Sequence, residues 1–244
     1  MCYSVSFLTH KNEVYTRRLG VAENNKNILI NQFDQIRNHI GTAWFRSGFE
    51  HPGLPIIVKL NTKPTITAGF WGLIPLWAKT HDQQKKIINQ TLNARIETLD
   101  DKPSFKNAIQ NKCLILIDGF FEYKHIGRKP QPFFIRHEDN RPMLLCGIYE
   151  NSPESIPFPI TVSIVTRPAN TFMKDIHNKS QSGEARMPAI LDMDSAELWL
   201  REPVNQLKTL ISNLRVDDLY AIPVRQLTGT QGTGNTPEAH IPLH

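Results

Sequence analysis

Apolar and polar residues alternate at the start of the chain. Tyr3, Val5 and Phe7 fall on one side of an extended backbone, with serines between them. Alternation with a period of two is typical of a strand that buries one face. We therefore expect a half-buried strand over residues 3–7, with Cys2 immediately before it.

Helical spacing appears next. Leu29, Phe33, Ile36 and Ile40 recur at steps of four, three and four residues, which predicts an amphipathic helix over 26–40. Further helices are predicted where a capping residue or a proline precedes a suitable segment. These are a short helix from Ser104 to 110, one that opens near Pro168, one capped by Asp194, and one over 203–212.

Several short runs, either apolar throughout or alternating, predict strands. They lie at 55–60, 66–70, 113–118, 120–124, 132–137, 143–149, 160–165, 188–191 and 219–224. Strand and helix do not alternate regularly along the chain, so a doubly wound parallel sheet is not expected. The pattern predicts an α+β fold in which mixed, mainly antiparallel sheets form a barrel-like core with peripheral helices.

The chain shows no internal linker between domains. Its 17 prolines are spread along the whole length, and no repeat is evident. We expect a single domain over residues 1–227. Residues 228–244 begin with the Gly/Thr-rich sequence TGTQGTGNTP and are predicted to be a loop and tail.

Composition excludes several classes of protein. Hydrophobic residues make up 40% and charged residues 21% of the 244 residues, which argues against wholesale disorder. No run of eighteen apolar residues could span a membrane, and the N-terminal sequence lacks the pattern of a secretory signal. The net charge of +5 gives mild support for an anionic partner.

The chain has three cysteines, Cys2, Cys113 and Cys146. An odd number without paired spacing argues against a disulfide framework, and no CxxC or HxxxH spacing suggests a metal ligand set. We expect no metal and no cofactor. Cys113 and Cys146 lie in apolar runs, where a buried, unreactive thiol is the ordinary outcome.

Cys2 differs because of its place in the chain. If Met1 is removed, the α-amine and the thiol of Cys2 stand on adjacent carbons. The terminal amine has a low reference pKa, about 7.7–8.0, so much of it is neutral at cellular pH. Such an aminothiol forms an imine with an aldehyde, and the sulfur then closes a thiazolidine ring, which an internal cysteine cannot do.

Two further segments carry polar residues suited to chemistry. In LNARIET, the side chains of Asn93, Arg95 and Glu97 fall on the same side if the segment is extended, and Arg95 could instead form a salt bridge with Glu97. In IDGFFEYK, Glu122 stands among aromatic residues. Desolvation there predicts a raised pKa, suited to acid–base catalysis.

These segments occur in an order that resembles the SOS response-associated peptidase family, whose members contain the SRAP domain. The resemblance rests on Cys2 after the initiator, WGLIPLW at 71–77 within FWGLIPLW, NARIET, DGFFEY, TRPAN with the IH pair, and RMP. The ordered set extends from residue 2 to about 191, most of the chain. The resemblance implies an SRAP-like fold and a protein that processes abasic sites in DNA.

The resemblance also implies roles for individual residues. Cys2 corresponds to the covalent nucleophile, and Asn93 to the residue that positions the N-terminus and the sugar. Glu122 corresponds to the acid–base residue that also serves autocatalytic removal of Met1. His177 corresponds to the histidine that opens the sugar and reverses the crosslink.

The DNA contacts implied by the resemblance are Arg95 and Arg186, which grip phosphates, and Trp77 near the DNA junction. Trp71 could contact DNA or lie in the core. The partner is single-stranded DNA that contains abasic sites, and the expected location is the cytoplasm, with the nucleoid during repair. We expect a monomer without membrane contact, and the sequence does not indicate protein partners.

The chain departs from the family pattern near these residues. Cys2 is followed by Tyr3, Ser4 and Val5 where many members have Gly-Arg, and residues 178–185 separate His177 from the RMP segment. If this insertion returns the chain to the same sheet, His177 keeps its place. Two other functions stay open from the residues alone: a hydrolase with an N-terminal nucleophile, and a non-catalytic module that binds single-stranded DNA.

Overall fold

The computed structural model describes residues 2–20, 23–59, 65–127, 129–179 and 183–243. Its strands are β1 (Ser4–Phe7), β2 (Ala43–Ser47), β3 (Gly53–Lys59), β4 (Thr65–Trp71), β5 (Asn93–Arg95), β6 (Lys112–Ile117), β7 (Gly119–Ile126), β8 (Lys129–His137), β9 (Met143–Asn151), β10 (Ile160–Pro168), β11 (Arg186–Pro188), β12 (Ile190–Leu191) and β13 (Leu219–Pro223). Its α-helices are α1 (Asn12–Arg18), α2 (Glu23–Ile40), α3 (His81–Ile87), α4 (Thr171–Ile176), α5 (Met193–Arg201) and α6 (Val204–Asn213). Short 3₁₀ helices lie at Gly48–Glu50, Ile88–Gln90, Ile96–Thr98, Ala108–Gln110 and Pro237–His240.

Five of the described strands close into a barrel. β10 pairs with β4 on one side and with β9 on the other, and β3 and β6 complete the ring. Only the β4–β10 pairing within this ring is parallel. Along β6, Cys113 to Ile117 are all fully buried, as expected for an apolar run covered on both faces. The predicted α+β fold with a barrel-like, mainly antiparallel core is confirmed.

A second, antiparallel sheet has the strand order β13, β8, β7, β1, β2. Val5 of β1 pairs with Phe120 of β7, so the residues just before β1 run beside the middle of β7. Gly119 begins β7 where a Cβ would lie 2.5 Å from the carbonyl oxygen of Ile135. Only glycine fits this close approach, which lets β7 pair with β8, where Glu122 stands opposite Phe133.

Two of the predicted helix starts differ from the structure. The predicted helix from Ser104 is wrong: the segment forms turns and the 3₁₀ helix Ala108–Gln110, because these tighter turns bury Phe105, Ala108 and Ile109 together. The predicted cap Asp194 is also wrong. Asp192 caps α5 by accepting a hydrogen bond from Ser195 N at 2.8 Å, and Asp194 lies in the first turn.

α1 and α3 were not predicted from the pattern. α3, with the sequence HDQQKKI, buries none of its residues and therefore shows no apolar periodicity. A capping box formed by Thr80 and Gln83 holds its first turn. Across the described part of the chain, the helices are too short or too polar for any of them to cross a lipid bilayer.

The C-terminal segment packs against the second sheet. The side-chain oxygen of Asn235 accepts hydrogen bonds from Trp44 N at 2.7 Å and from Phe45 N at 3.1 Å. The His240 ring stacks on Phe134 with a centroid distance of 4.0 Å. The described part of the predicted tail is therefore fixed to the sheet, and the domain boundary at residue 227 stays a prediction.

Candidate active site

Cys2 lies at the junction between the two sheets. Its carbonyl oxygen accepts a hydrogen bond from Asn93 Nδ2 at 2.8 Å. Asn93 begins β5, which pairs in parallel with β10 of the barrel. The bond therefore ties the start of the second sheet to the barrel. The predicted role of Asn93 with the sugar stays a prediction.

The other amide atom of Asn93 is an unused acceptor. Asn93 Oδ1 is buried and accepts no hydrogen bond from any residue in the described ranges. A buried acceptor without a donor costs about 1–3 kcal/mol. Such an atom beside Cys2 is available to accept a hydrogen bond from a ligand or from a terminal amine.

Glu122 and His177 form a pair at the same junction. His177 Nδ1 lies 3.0 Å from Glu122 Oε2, and their side chains are 13% and 12% exposed. Glu122 comes from the middle of β7, and His177 is the residue that ends α4, where its backbone N–H donates to Met173 O. Two residues far apart in sequence are thus brought into one hydrogen-bonded pair.

The expected rise in the pKa of Glu122 is wrong. Burial is the largest single effect and raises the pKa of this carboxyl, but the hydrogen bond with His177, the positive charges nearby and the Tyr123 N–H together lower it by more, so the pKa lies below its ordinary value. The backbone N–H of Tyr123 also donates to Glu122 Oε1 at 3.1 Å. At neutral pH Glu122 is therefore ionised and is suited to accept a proton.

The thiol of Cys2 is buried and held in its neutral form. Its side chain is 1% exposed. Burial raises the pKa of the Cys2 thiol to about 12, and the negative charge of Glu122 contributes to the rise. Very little thiolate is therefore present at neutral pH, and Glu122 lies within electrostatic range of the sulfur.

Tyr3 also belongs to this site, although the sequence pattern indicated only a strand position. Burial raises the pKa of the Tyr3 phenol, the charge of Glu122 raises it further, and the charge of Arg95 lowers it. The phenol therefore lies within electrostatic range of both groups. Its aromatic type directly after Cys2 was the only sequence signal that could have found it.

The insertion after His177 leaves the histidine at the site. The side chain of Asn178 accepts from His125 N at 2.8 Å and donates to His125 O at 2.9 Å, which fixes the chain to β7. Residues 180–182 lie outside the described residues. The chain then returns to the barrel sheet, where β11 pairs with β10. The chain thus returns to the same sheet after the insertion, and His177 lies beside Glu122.

Arg186 is directed into the protein. Its side chain is 1% exposed and pairs with Glu97 at 2.8 Å and Glu184 at 3.2 Å. Its Nη2 also donates to Thr166 O at 2.9 Å. Glu97 therefore pairs with Arg186 and not with Arg95. The predicted phosphate contact of Arg186 stays a prediction, and in this structure the guanidinium is occupied by carboxylates.

The remaining predicted DNA residues lie nearer the surface. Trp77 is 45% exposed, with its indole N–H 3.2 Å from Pro103 O. Arg95 is half-buried, and among the described residues no carboxylate lies within salt-bridge distance of it. Trp71 is fully buried and donates to Leu92 O at 2.9 Å, which confirms its alternative as a core residue. The DNA contacts of Trp77 and Arg95 stay predictions.

Asp118, in the DGFFEY segment, supports the site without entering it. Its carboxylate accepts hydrogen bonds from Thr9 N, from the Thr9 hydroxyl and from the Tyr15 hydroxyl, each at 2.8 Å. Burial raises the pKa of Asp118. This carboxylate fixes the turn after β1 to the start of β7, which holds the β1–β7 register that places Cys2 near Glu122.

Comparison with known proteins agrees with this arrangement. A model of the family described as SOS response associated peptidase (SRAP) matches residues 4–230. The chain is 33% identical over 227 residues to the abasic site processing protein YoqW of Bacillus subtilis (strain 168), which covers 86% of this chain and 95% of that protein. It is 31% identical over 178 residues to the abasic site processing protein YMR114C of Saccharomyces cerevisiae, covering 70% of this chain and 45% of that protein.

A solved structure shows the same fold. A protein from Bacteroides thetaiotaomicron superposes with a TM-score of 0.73 and 26% sequence identity over the full length of both chains. The family model covers nearly the whole chain, and its matched range includes Asn93, Glu122 and His177, whereas Cys2 lies just before it. The chain belongs to the SOS response associated peptidase (SRAP) family.

Proposed function

We propose that this protein processes abasic sites in single-stranded DNA by forming a covalent link through Cys2. The names of its relatives support the general role. One observation carries the finer proposal. Asn93 donates a hydrogen bond to the carbonyl oxygen of Cys2 at 2.8 Å, and Glu122, which pairs with His177 at 3.0 Å, lies within electrostatic range of the Cys2 thiol. A nucleophile, a hydrogen-bonding amide and a proton-transfer pair thus meet at one junction.

The reaction requires a free Cys2 amine, and hence the removal of Met1, which lies outside the described residues. The nitrogen of Cys2 attacks the aldehyde carbon of the ring-opened sugar, and the adduct loses one water to form an imine. The sulfur then adds to the imine carbon, and the thiol proton passes to the imine nitrogen. A thiazolidine ring results, with no change in oxidation state.

The protonation state of each site residue determines which step of thiazolidine formation it serves. The Cys2 thiol is buried, and its pKa is about 12, so the amine reacts before the sulfur. Ionised Glu122 takes the thiol proton as the ring closes and passes it to the imine nitrogen, and His177 relays protons during opening of the sugar hemiacetal. Asn93 Oδ1, buried beside Cys2 without a donor among the described residues, accepts from the amine or the sugar hydroxyl.

The covalent step has a direct test. The purified protein is incubated with an abasic single-stranded oligonucleotide and run on a denaturing gel. We expect a heat-stable shifted band that Cys2→Ala abolishes and that the matched control Cys113→Ala, at another buried thiol, retains. No band from protein with a demonstrably free Cys2 amine would overturn the proposal.

The same experiment separates the two other functions. An N-terminal-nucleophile hydrolase would give no crosslink and would turn over a peptide or amide. A non-catalytic module would bind single strands equally well as Cys2→Ala and would not prefer an abasic site. The intact mass of the protein comes first, because retention of Met1 blocks the proposed chemistry.

Removal of Met1 is assigned in the proposal to Glu122 acting as a base. Glu122→Gln keeps the shape of the side chain but loses its charge, so intact-mass measurement should find Met1 retained. Glu150→Gln provides the control, because Glu150 is also buried but lies on β9. Complete processing of Glu122→Gln would remove this role.

DNA binding is assigned to Arg95, Arg186 and Trp77. Phosphate contacts release counterions, so the logarithm of the affinity for undamaged single strands should fall linearly with the logarithm of salt concentration. Stacking of a base on Trp77 is worth about 1–3 kcal/mol. An affinity that stays flat to several hundred millimolar salt would exclude phosphate contacts.

A further inference from the structure

An exposed aromatic ring stands directly beside the candidate site. Phe49 is 57% exposed, the largest fraction for any aromatic residue among the described ones. Its ring stacks on Tyr3 with a centroid distance of 5.2 Å and an interplanar angle of 29°. Because Tyr3 follows Cys2 in the chain, the stack lies next to the proposed nucleophile. One face of Phe49 rests on Tyr3, and the side chain stays largely open to solvent.

The segment that carries Phe49 is held in place. Gly48 N donates to Tyr3 O at 2.7 Å, and Phe49 N donates to the Ser47 hydroxyl at 3.3 Å. The His51 ring nitrogen lies 2.7 Å from Trp71 O. These contacts attach the segment both to β1 and to the end of β4. The ring is therefore presented at a defined position, which limits the conformational entropy lost on binding.

Gly48 shows how closely this segment is fitted to the core. A Cβ at Gly48 would lie 3.1 Å from the ring of Trp71, which is fully buried. Exposure of Phe49 is thus not the result of a loose loop. The exposed ring of Phe49 is instead held in a fixed position by a close-packed segment and, stacked on Tyr3, presents a flat apolar face to solvent.

Two arginines, Arg46 and Arg95, lie near the stacked pair. Arg46, 40% exposed, pairs in register with Val5 of β1. Arg46 also lies 3.6 Å from Glu50 in an exposed ion pair, which solvent weakens. Arg95 lies within electrostatic range of the Tyr3 phenol. Aromatic rings flanked by guanidinium groups are the combination by which proteins bind single-stranded nucleic acid.

We propose that Phe49, supported by Tyr3, is a stacking platform for the nucleobase next to the abasic sugar. The proposal rests on the proposed function, since it places that sugar at Cys2. An abasic nucleotide lacks a base, so each neighbouring base has lost a stacking partner. A flat apolar ring beside the nucleophile replaces that partner, and this favours an abasic site over an intact strand.

The test measures binding separately from covalent chemistry. Affinity is determined by fluorescence anisotropy for an oligonucleotide with a non-reactive tetrahydrofuran analogue of the abasic sugar. The nucleotide on its 5′ side, and in a second series on its 3′ side, is either adenine or a baseless spacer. For the wild-type protein, removal of the stacked base should weaken binding about fivefold to a hundredfold on one side.

The variants locate the effect. Phe49→Ala and Phe49→Leu should lose the preference for the adenine flank, because neither offers an aromatic face, and Phe49→Trp should keep it. Phe49→Leu retains apolar bulk against Tyr3, so a structural effect alone would leave its preference intact. Tyr220→Ala is the matched control, an aromatic residue 52% exposed on β13, and it should behave as wild type.

The flank preference and its response to the Phe49 variants decide whether Phe49 stacks on the neighbouring base. The proposal is overturned if the wild-type protein shows no preference on either side, if Phe49→Ala keeps the preference, or if Phe49→Ala weakens binding equally with and without the flanking base. Failure of the proposed function would look different. It would appear as the absence of a Cys2-dependent crosslink to a reactive abasic oligonucleotide, whatever the flank preference for the analogue.

Discussion

The ion pair between Arg186 and Glu97 allows the internal role of this arginine to be measured. Arg186 is 1% exposed on its side chain, whereas Glu97 is 43% exposed. Glu97→Gln preserves the size of the side chain and one acceptor oxygen but removes the negative charge. The variant leaves a buried guanidinium with Glu184 and the Thr166 carbonyl as its partners.

The expected loss can be worked out from these contacts. Breaking a fully buried ion pair by removing one partner costs about 3–5 kcal/mol. Because Glu97 is partly hydrated, the loss should be nearer that of one hydrogen bond to a charged group, about 2 kcal/mol. Arg186→Met should cost about 1–3 kcal/mol, since it deprives the Thr166 carbonyl of its donor.

Urea unfolding is the assay. With a slope of about 3 kcal/mol per molar, a loss of about 2 kcal/mol lowers the midpoint by roughly 0.7 M. The double variant should lose less than the sum of the single variants, because both remove the same contact. Glu50→Gln, which breaks the exposed Arg46–Glu50 pair, is the control and should cost less than about 1 kcal/mol.

The reasoning is refuted if Glu97→Gln shifts the midpoint no more than Glu50→Gln does. The arginine would then face outward in solution, as a direct phosphate contact requires. If the loss is as expected, Arg186 acts on DNA through the position of β11 beside β10, or only after Glu97 and Glu184 release it.

Three other predictions concern the remaining residues. In protein that retains Met1, alkylation of Cys2 at pH 8 should be at least a hundredfold slower than that of an unfolded control, because burial raises the pKa of this thiol to about 12; rapid labelling detected by mass spectrometry would contradict this. His177→Ala removes the hydrogen bond that lowers the pKa of Glu122. The lowered pKa of Glu122 stabilises the folded state at pH values above the unfolded carboxyl pKa, about 4.3, and this stabilisation is lost as pH falls through the lower pKa of the folded state. The difference in unfolding free energy between the wild type and His177→Ala should therefore shrink on acidification. Trp71→Ala should cost about 3–5 kcal/mol in thermal or urea unfolding and Trp77→Ala less than about 1 kcal/mol, and equal losses would show that Trp77 is not at the surface.

Local pattern determined much of the fold. Alternation identified β1, helical spacing identified α2, and the apolar run at residues 113–117 identified β6, because periodicity reports which face of an element is buried. Periodicity failed to identify the segments whose burial does not follow a regular period. α3 buries no residue, and the turns around Phe105 bury apolar residues without the period of a helix.

The sequence alone also selected the residues of the candidate site, through the order of its short segments from Cys2 to the RMP segment. Tertiary structure decided how they act. The β1–β7 register and the β5–β10 pairing bring Cys2, Asn93 and Glu122 together, and α4 delivers His177 to Glu122. The sign of the Glu122 pKa shift depended on that contact, because burial and a hydrogen bond act in opposite directions. Arg186 turned inward and Phe49 stayed exposed for the same reason: a side chain's partners are set by which strands become neighbours, and strand order is a property of the whole chain.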